Sequence, residues 1–311
     1  MNFHRWQTWP HSTHLCTRST LCGPSLFKRV CMDLLSLLVA LAFDQTNRHH
    51  TGKRFLTMVA DWLCGGWGVA GLAALVSAVF LCHVLLRTLS PIVGGLFGAV
   101  LLVLCLGMGE LAFAVRGYLD MRVRDDEEGA RHIASALAGR DVCSAGVRLT
   151  REMLAVVLVE GHARGIGVLF WYLVLGPAGA LAAALVRPMA LPNCQAMEKS
   201  APIVGKVCWA MDWLPARISA LCYGVAGSLT HALGNWRSRA WKWDEHNTAV
   251  LVASGTGALL LETETSGDSL PKATPEAQDA TVEGARDLVM RALVVWVIAV
   301  ALITLGGWLK Q

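Results

Sequence analysis

The residues best suited to chemistry in this sequence are charged side chains at the edge of an apolar segment. Glu160 and Arg164 lie four positions apart, so they fall on the same face of a helix and can form an ordinary ion pair. They also stand where a helix enters an apolar region, and ionisable groups at such positions are candidates for function. The sequence leaves both interpretations open. His162 lies between the two residues.

A second pair, Arg140 and Asp141, closes an amphipathic stretch. An arginine beside an aspartate at a helix end can clamp a phosphate or carboxylate through its rigid fork of donors, which would suit a small anionic ligand. The same pair can form a solvated helix end, and the sequence alone favours that interpretation. The candidate ligand-binding residues, completed by two that flank Pro215, are Arg140, Asp141, Glu160, Arg164, Asp212 and Arg217.

Standard catalytic and cofactor motifs are absent. The sequence contains no Walker loop, GxSxG elbow, HExxH pair or GxGxxG fingerprint. Its ten cysteines include no CxxC pair, so we expect buried, inert thiols and neither a zinc site nor a disulfide framework. The segment 254–257, SGTG, lacks the lysine and spacing of a phosphate loop, and we interpret it as a turn. We predict no catalytic residue, no metal site and no cofactor.

The composition indicates an integral membrane protein. Hydrophobic residues make up 54% of the 311 residues and charged residues only 16%, whereas ordinary soluble domains carry about a quarter charged residues. The net charge of +4 is small, and no run of lysine and arginine resembles a nucleic-acid-binding tail. We therefore predict an all-α, polytopic protein with about 4–6 membrane helices, whose partner is the lipid bilayer and not nucleic acid.

Three apolar segments are long enough to span a bilayer: 67–86, 92–114 and 288–308. The first two should form a hairpin across the short connection 87–91. Glu110 lies inside the second segment, and it can face either the helix bundle or the membrane interface. The middle of the chain, 153–233, is broken by charges and prolines. There we expect a span at 165–186, kinked at Gly176–Pro177, paired with a broken or amphipathic helix at 203–233.

Outside these segments the chain divides into a tail and soluble insertions. Residues 1–31 are polar and are expected to be an unstructured tail or a mis-assigned start, followed by a short helix at 32–43 and one membrane domain over 32–311. Insertions are predicted at 116–152, amphipathic and helical, and at 234–287. Their lysines and arginines place the large loops in the cytoplasm. The tryptophans near 236–243 suit an interfacial belt, and 266–280 suits a flexible loop.

Two motifs at matching separation carry a family resemblance. The segments 169–181, LFWYLVLGPAGAL, and 211–217, MDWLPAR, resemble AmpE, a family of bacterial inner-membrane proteins associated with β-lactamase regulation. They also resemble the wider superfamily of the cobinamide-phosphate synthases, CobD/CbiB. Those synthases usually carry threonine where Val142 stands, and a polar ENTxDG stretch where 159–164 reads VEGHAR. The AmpE branch therefore fits better.

The resemblance implies an inner-membrane regulatory or sensory protein linked to β-lactamase induction and cell-wall stress. A small anionic or cell-wall-derived ligand would then be its signal. The alternative is a membrane enzyme with cobinamide-phosphate-synthase-like amide ligation chemistry, which would use Arg140, Asp141 and Glu160 to hold its substrate. The sequence leaves the oligomeric state open.

Overall fold

A computed structural model of the protein describes residues 51–190, 201–239, 247–261 and 274–308. Most of these residues are helical and none forms a strand, which confirms the all-α prediction. The helices are α1 Thr51–Trp62, α2 Gly68–Leu89, α3 Pro91–Cys105, α4 Met108–Val123, α5 Glu127–Ala138, α6 Val147–Gly161, α7 Val168–Leu175, α8 Pro177–Met189, α9 Ala201–Ala226, α10 Leu229–Arg239, α11 Asn247–Ala258 and α12 Pro275–Trp308. The predicted tail 1–31 and short helix 32–43 lie outside the described residues.

Four helical stretches are long and apolar enough to cross a membrane: Gly68–Leu89, Pro91–Val123, Val147–Leu175 and Glu276–Gly306. The protein is thus a polytopic helical membrane protein, as predicted. The stretches differ in burial. The protein buries 72% of the most apolar part of Val147–Leu175 but only 11% of the most apolar part of Gly68–Leu89. The third stretch is therefore the centre of the bundle, and the first is at its outside.

The hairpin of α2 and α3 turns on one residue. Ser90 adopts an extended conformation, with φ −156° and ψ 123°, and Pro91 occupies the first position of α3. Proline suits that position, because a backbone N–H in the first turn of a helix has no partner within the helix, and proline has no N–H. The observed connection, a single residue, is thus shorter than the predicted connection 87–91.

The prediction over 92–114 assumed a single helix, but the second stretch consists of two helices. The backbone leaves helical geometry at Leu106, with φ −71° and ψ 137°, and a new helix begins after Gly107. A Cβ on Gly107 would lie 3.2 Å from Cδ of Arg164, so this glycine makes room for the arginine side chain. Glu110 consequently sits in the first turn of α4 and faces the bundle, where a carboxylate complements the helix dipole.

The predicted kinked span at 165–186 is wrong, because the chain reverses at Gly176. This residue adopts φ 71° and ψ −155°, a conformation that L side chains rarely reach. A Cβ on Gly179 would collide with the carbonyl oxygen of Trp171, so α8 returns closely along α7. The hairpin thus lies inside 165–186, and the predicted partner stretch 203–233 forms α9 and α10.

The glycine-rich segment 254–257 lies inside α11 and is not a turn. Ser254 and Thr256 donate to the carbonyls of Val250 and Val252, at 2.7 and 2.8 Å, as hydroxyls often do within helices. A Cβ on Gly255 would lie 2.5 Å from Leu158. The glycine therefore allows close helix packing. Glycines that serve packing and glycines that form turns cannot be told apart from this sequence.

The flanking helices extend further into both insertions than predicted. α4 continues to Val123, past the expected boundary at 116, and α5 is capped by Asp126, whose carboxylate accepts from Gly129 N at 2.8 Å. α12 already begins at Pro275, so the last part of the expected loop 266–280 is helix. Arg122 binds Asp279 at 3.3 Å and so attaches this early turn to α4.

Two smaller predictions concern the tryptophans near 236–243 and the cysteines. Trp236 is partly buried and packs against a cluster of Ala220, Val250 and Ala253, while 241 and 243 lie outside the described residues, so the interfacial belt stays a prediction. Among the cysteines, Cys105 and Cys222 are buried free thiols as expected. Others are exposed or bonded: Cys82 and Cys143 are exposed, and Cys64 takes part in a disulfide.

Candidate functional site

A π-helical turn, His162–Gly167, interrupts the central helix between α6 and α7. Such a turn inserts an extra residue, and it occurs frequently at functional sites. One glycine just before the turn and one within it let neighbouring helices approach. A Cβ on Gly161 would lie 2.5 Å from Val289, and one on Gly165 would lie 3.0 Å from Met108. The turn therefore lies tightly between α4 and α12. Its His162 faces α9, whereas its Arg164 reaches α4.

The polar side chains form what we call the charged network, which consists of Glu110, Glu160, Arg164, Arg187 and Asp212. Arg164 binds Glu160 at 2.9 Å within one helix and Glu110 at 3.1 Å across to α4. Arg187 reaches back from α8 to the other oxygen of Glu160, at 3.3 Å. Both arginines are therefore clamped on Glu160.

Asp212 is the loosely held member of the charged network. Its carboxylate lies 3.6 Å from Arg187 and 3.9 Å from both His162 Nε2 and Cys208 Sγ. Burial raises the pKa of the Asp212 carboxyl above its ordinary value, and Arg187 opposes this only in part. The contact between Arg187 and Asp212 is consequently the place where a ligand group could enter most easily.

His162 stands behind Asp212 and is 1% exposed. Its Nδ1 shares a hydrogen bond of 2.8 Å with Ser219 Oγ, while its Nε2 has no hydrogen-bond partner. A buried polar atom without a partner carries a desolvation cost, so such atoms merit a functional explanation. A small group bound beside Asp212 would lie within reach of this nitrogen.

The charged network is accessible and its charges are not balanced. Its side chains are between 14% and 30% exposed, and three carboxylates face two guanidinium groups. An incoming anion would have to replace a carboxylate on an arginine. It could do so at Arg187, where the Asp212 contact is long and the Glu160 contact would remain. The arrangement thus suits reversible exchange of one ion pair for another.

The two family-like motifs meet behind the charged network. Pro215 lies inside α9 and has no N–H, so the carbonyl of Met211 loses its usual helical partner. Trp171 fills this place by donating its indole N–H to Met211 O at 3.2 Å. The tryptophan of the first motif therefore satisfies the carbonyl freed by the proline of the second, and this contact fixes the backbone beside Asp212.

Arg217 has a structural place apart from the charged network. It donates to the carbonyl of Trp213 at 2.8 Å and to Asn247 Oδ1 at 3.2 Å, and its guanidinium lies 4.1 Å from the Trp213 ring. Asn247 in turn donates to Trp209 O at 2.9 Å. These contacts join α9 to α11 next to the proline.

Arg140 and Asp141 also lie apart. Arg140 pairs with Glu152 at 3.4 Å and is 59% exposed, and Asp141 is exposed. Glu152 also accepts from Ser144. The structure thus brings together three of the six predicted residues, Glu160, Arg164 and Asp212.

Sequence reasoning missed Arg187 as a member of this site. It follows directly after the apolar run that ends at 186, so it resembles an ordinary charge flanking a membrane helix. Only the reversal at Gly176 returns it to Glu160. Glu110 and His162 carried a signal, because each is an ionisable residue within an apolar region.

Comparison with known proteins gives consistent matches. The family model described as regulatory signalling modulator protein AmpE matches residues 26–310. A cobalamin biosynthesis protein CobD of Stutzerimonas stutzeri is 28% identical over 259 residues, which cover 78% of this chain and 84% of that protein. A second CobD, of Chromobacterium violaceum, is 28% identical over 202 residues, 62% of each chain. No solved structure matches the chain.

Proposed function

The chain belongs to the AmpE family, and from this premise we propose that it is a regulatory protein of the bacterial inner membrane that influences β-lactamase induction under cell-wall stress. Its membrane character rests on the four apolar helices and on the family. The inner membrane and the link to β-lactamase are the parts that experiment has to decide. The predicted partner, a small anionic or cell-wall-derived ligand, belongs to the same proposal.

One observation carries the proposal, namely the loose contact between Arg187 and Asp212 in an otherwise tightly paired network. Arg187 lies on α8 and Asp212 on α9, so an anion that replaces Asp212 on Arg187 changes a contact between two helices. A regulatory protein needs such an element, in which ligand binding alters the relation between two parts of the chain. Binding at this contact would couple a ligand to the position of α9.

The test is induction of β-lactamase in a strain that lacks the gene and is complemented in turn by wild type, Arg187→Gln and Arg140→Gln. We expect wild type and Arg140→Gln to restore the normal induction ratio, because Arg140 lies on the exposed surface outside the charged network. Arg187→Gln should not restore it at equal protein level in the membrane. An unchanged induction ratio in the deletion strain would contradict the regulatory proposal itself.

A second candidate function is membrane-bound amide ligation like that of the cobinamide-phosphate synthases. The two CobD relatives, each 28% identical, favour it. Rescue of a strain that lacks cobinamide-phosphate synthase would establish this activity, and Glu160→Gln should then abolish the rescue. Asp141→Asn should not, because the structure places Asp141 on the exposed surface apart from Glu160 and so removes it from the substrate site that the sequence suggested. Absence of rescue with the protein present in the membrane would leave the regulatory proposal.

A further inference from the structure

The hairpin of α7 and α8 is locked at both ends. Near its tip, Gly179 packs directly on the carbonyl of Trp171, and at its base Arg187 binds Glu160 at 3.3 Å. The turn between these contacts is Gly176. The two arms therefore run side by side from the charged network to the turn, and the base of both arms lies at one level of the bundle.

The tip of this hairpin stops well short of the turn between α2 and α3. Tyr172 Oη and Pro177 Cγ would lie 2.9 and 3.3 Å from a Cβ on Gly98, which stands eight positions after Ser90. His83, seven positions before Ser90, packs beside Gly176. Seven to eight residues of helix correspond to about 11 Å, so the tip lies about that distance from the Ser90 turn.

The lengths of the helices place this tip inside the hydrocarbon. α2 has 22 residues, about 33 Å of helix, and so it crosses a core of about 30 Å from one surface to the other. α8 has 13 residues, or about 20 Å, which is too short to cross. A helix of about 20 Å that starts about 11 Å below one surface ends at the opposite surface. The return arm thus has the length that this placement requires.

The outer side of the tip is apolar, and it is exposed among the residues that the structure describes. Val174 is 56% exposed and Leu175 is 49% exposed. At the depth derived above, lipid acyl chains are the medium that surrounds these side chains. Non-helical backbone in that region must be protected by protein, and Gly176 is protected by His83.

We propose that α7 and α8 form a re-entrant hairpin, which enters and leaves the membrane on one side and presents Val174 and Leu175 to lipid acyl chains. The stretch Val147–Leu175 is then not a complete crossing. The charged network at the base of the hairpin opens only to the surface opposite Ser90, the surface that carries α5. A ligand must approach from there. This inference concerns the membrane position of the hairpin and holds for either proposed function.

The test is cysteine labelling of the full-length chain, with its native cysteines replaced by serine, by a membrane-impermeant maleimide in sealed vesicles of both orientations. Ser90→Cys reports one surface. A second variant that keeps only the native Cys143 reports the other surface, because Cys143 is exposed beside α5. We expect Ala190→Cys to label from the Cys143 side. Leu175→Cys should label from neither side, although it should label fully in SDS.

A second measurement identifies what surrounds the tip. A bimane probe on Leu175→Cys, or on Val174→Cys if the first variant does not fold, should be quenched by lipids brominated in the middle of their acyl chains. Labelling of Leu175→Cys from the Ser90 side would overturn the proposal, because the helix would then cross completely. Efficient disulfide formation between two Leu175→Cys chains, with no quenching, would also overturn it and assign this surface to a second copy. None of these readouts depends on β-lactamase induction.

Discussion

Asp212 and its neighbours show how one residue can be placed without being tightly bound. Its nearest charged partner, Arg187, is also committed to Glu160, and His162 offers a nitrogen that lies 3.9 Å away. The backbone that carries Asp212, in contrast, is firmly fixed by the bond from Trp171 to Met211. A fixed backbone with a weakly paired carboxylate suits a side chain that exchanges partners.

The pH dependence of stability should report on Asp212. Its carboxyl pKa is raised in the native state, so the native protein binds this proton more tightly than the unfolded chain does. The resulting stabilisation is complete below the ordinary aspartate pKa and is lost as pH rises through the raised value. The melting temperature in detergent, measured from a pH below the ordinary aspartate pKa up to neutral pH, should therefore fall less steeply for Asp212→Asn than for wild type. The exposed Asp141→Asn should keep the wild-type slope, and an equal slope for all three proteins would contradict the expectation.

Removal of Arg187 should also destabilise the protein. Arg187→Gln leaves Glu160 and Asp212 with less compensation while both are partly buried, which we expect to cost about 2 kcal/mol, between the values for exposed and buried pairs. The free energy of unfolding in mixed micelles measures this loss. Arg140→Gln removes the same charge from an exposed pair and should cost less than about 1 kcal/mol. Equal losses would mean that the two pairs have the same environment.

At the scale of elements, helix interruptions position the site. The break after Leu106 admits Arg164, the π-helical turn displaces His162 and Arg164, and Pro215 opens a carbonyl for Trp171. The hairpin turn then returns Arg187. A regular continuous helix at Leu106, at the π-helical turn or at Gly176 would move one member of the charged network.

The contact between Trp171 and α9 gives a sharp double-mutant test. Trp171→Phe leaves the Met211 carbonyl without a partner, whereas in a Pro215→Ala background the restored N–H of residue 215 can satisfy it. The destabilisation by Trp171→Phe should thus be smaller in the Pro215→Ala background, by about 1–2 kcal/mol. Unfolding of the four proteins in mixed micelles gives this coupling. Strict additivity would show that the indole acts only through packing.

Gly176→Ala should disrupt the hairpin. The φ of 71° with ψ of −155° is accessible to glycine alone among common residues, so alanine should cost about 1–3 kcal/mol. Gly205→Ala provides the matched control, because a Cβ there meets nothing within 4 Å and alanine favours the helix by about 0.5–1 kcal/mol. Opposite signs in the free energy of unfolding are therefore expected. A neutral Gly176→Ala would contradict the geometry of the reversal.

For the molecule as a whole, the distribution of arginines predicts the sidedness of the loops. Arginines crowd the region from α4 to the start of α6 and would face the cytoplasm, whereas Ser90 would face the opposite side. Alkaline phosphatase fused at Ser90 should be active, and phosphatase fused at Cys143 should be inactive, with the reverse pattern for a fluorescent cytoplasmic reporter. Identical results at the two sites would contradict the orientation.

The sequence predicts part of this molecule well. Run length and composition are sufficient for the outer helices, since a stretch such as Gly68–Leu89 must satisfy the bilayer whatever it packs against. The central features depend on tertiary contacts. The pair Gly176–Pro177 has a sequence that fits a kinked helix and a chain reversal equally well. The segment 254–257 likewise fits both a turn and a closely packed helix. The pairing of Arg187 with Glu160 follows only from the reversal.

The hairpin that joins Trp171 to Gly179 and Glu160 to Arg187 also restricts how related genes can change length. An insertion in one arm alone would shift one side of both contacts against the other. Insertions and deletions between Glu160 and Arg187 should therefore occur in matched pairs, one on each side of Gly176. Gaps in related sequences would then appear symmetrically about this glycine.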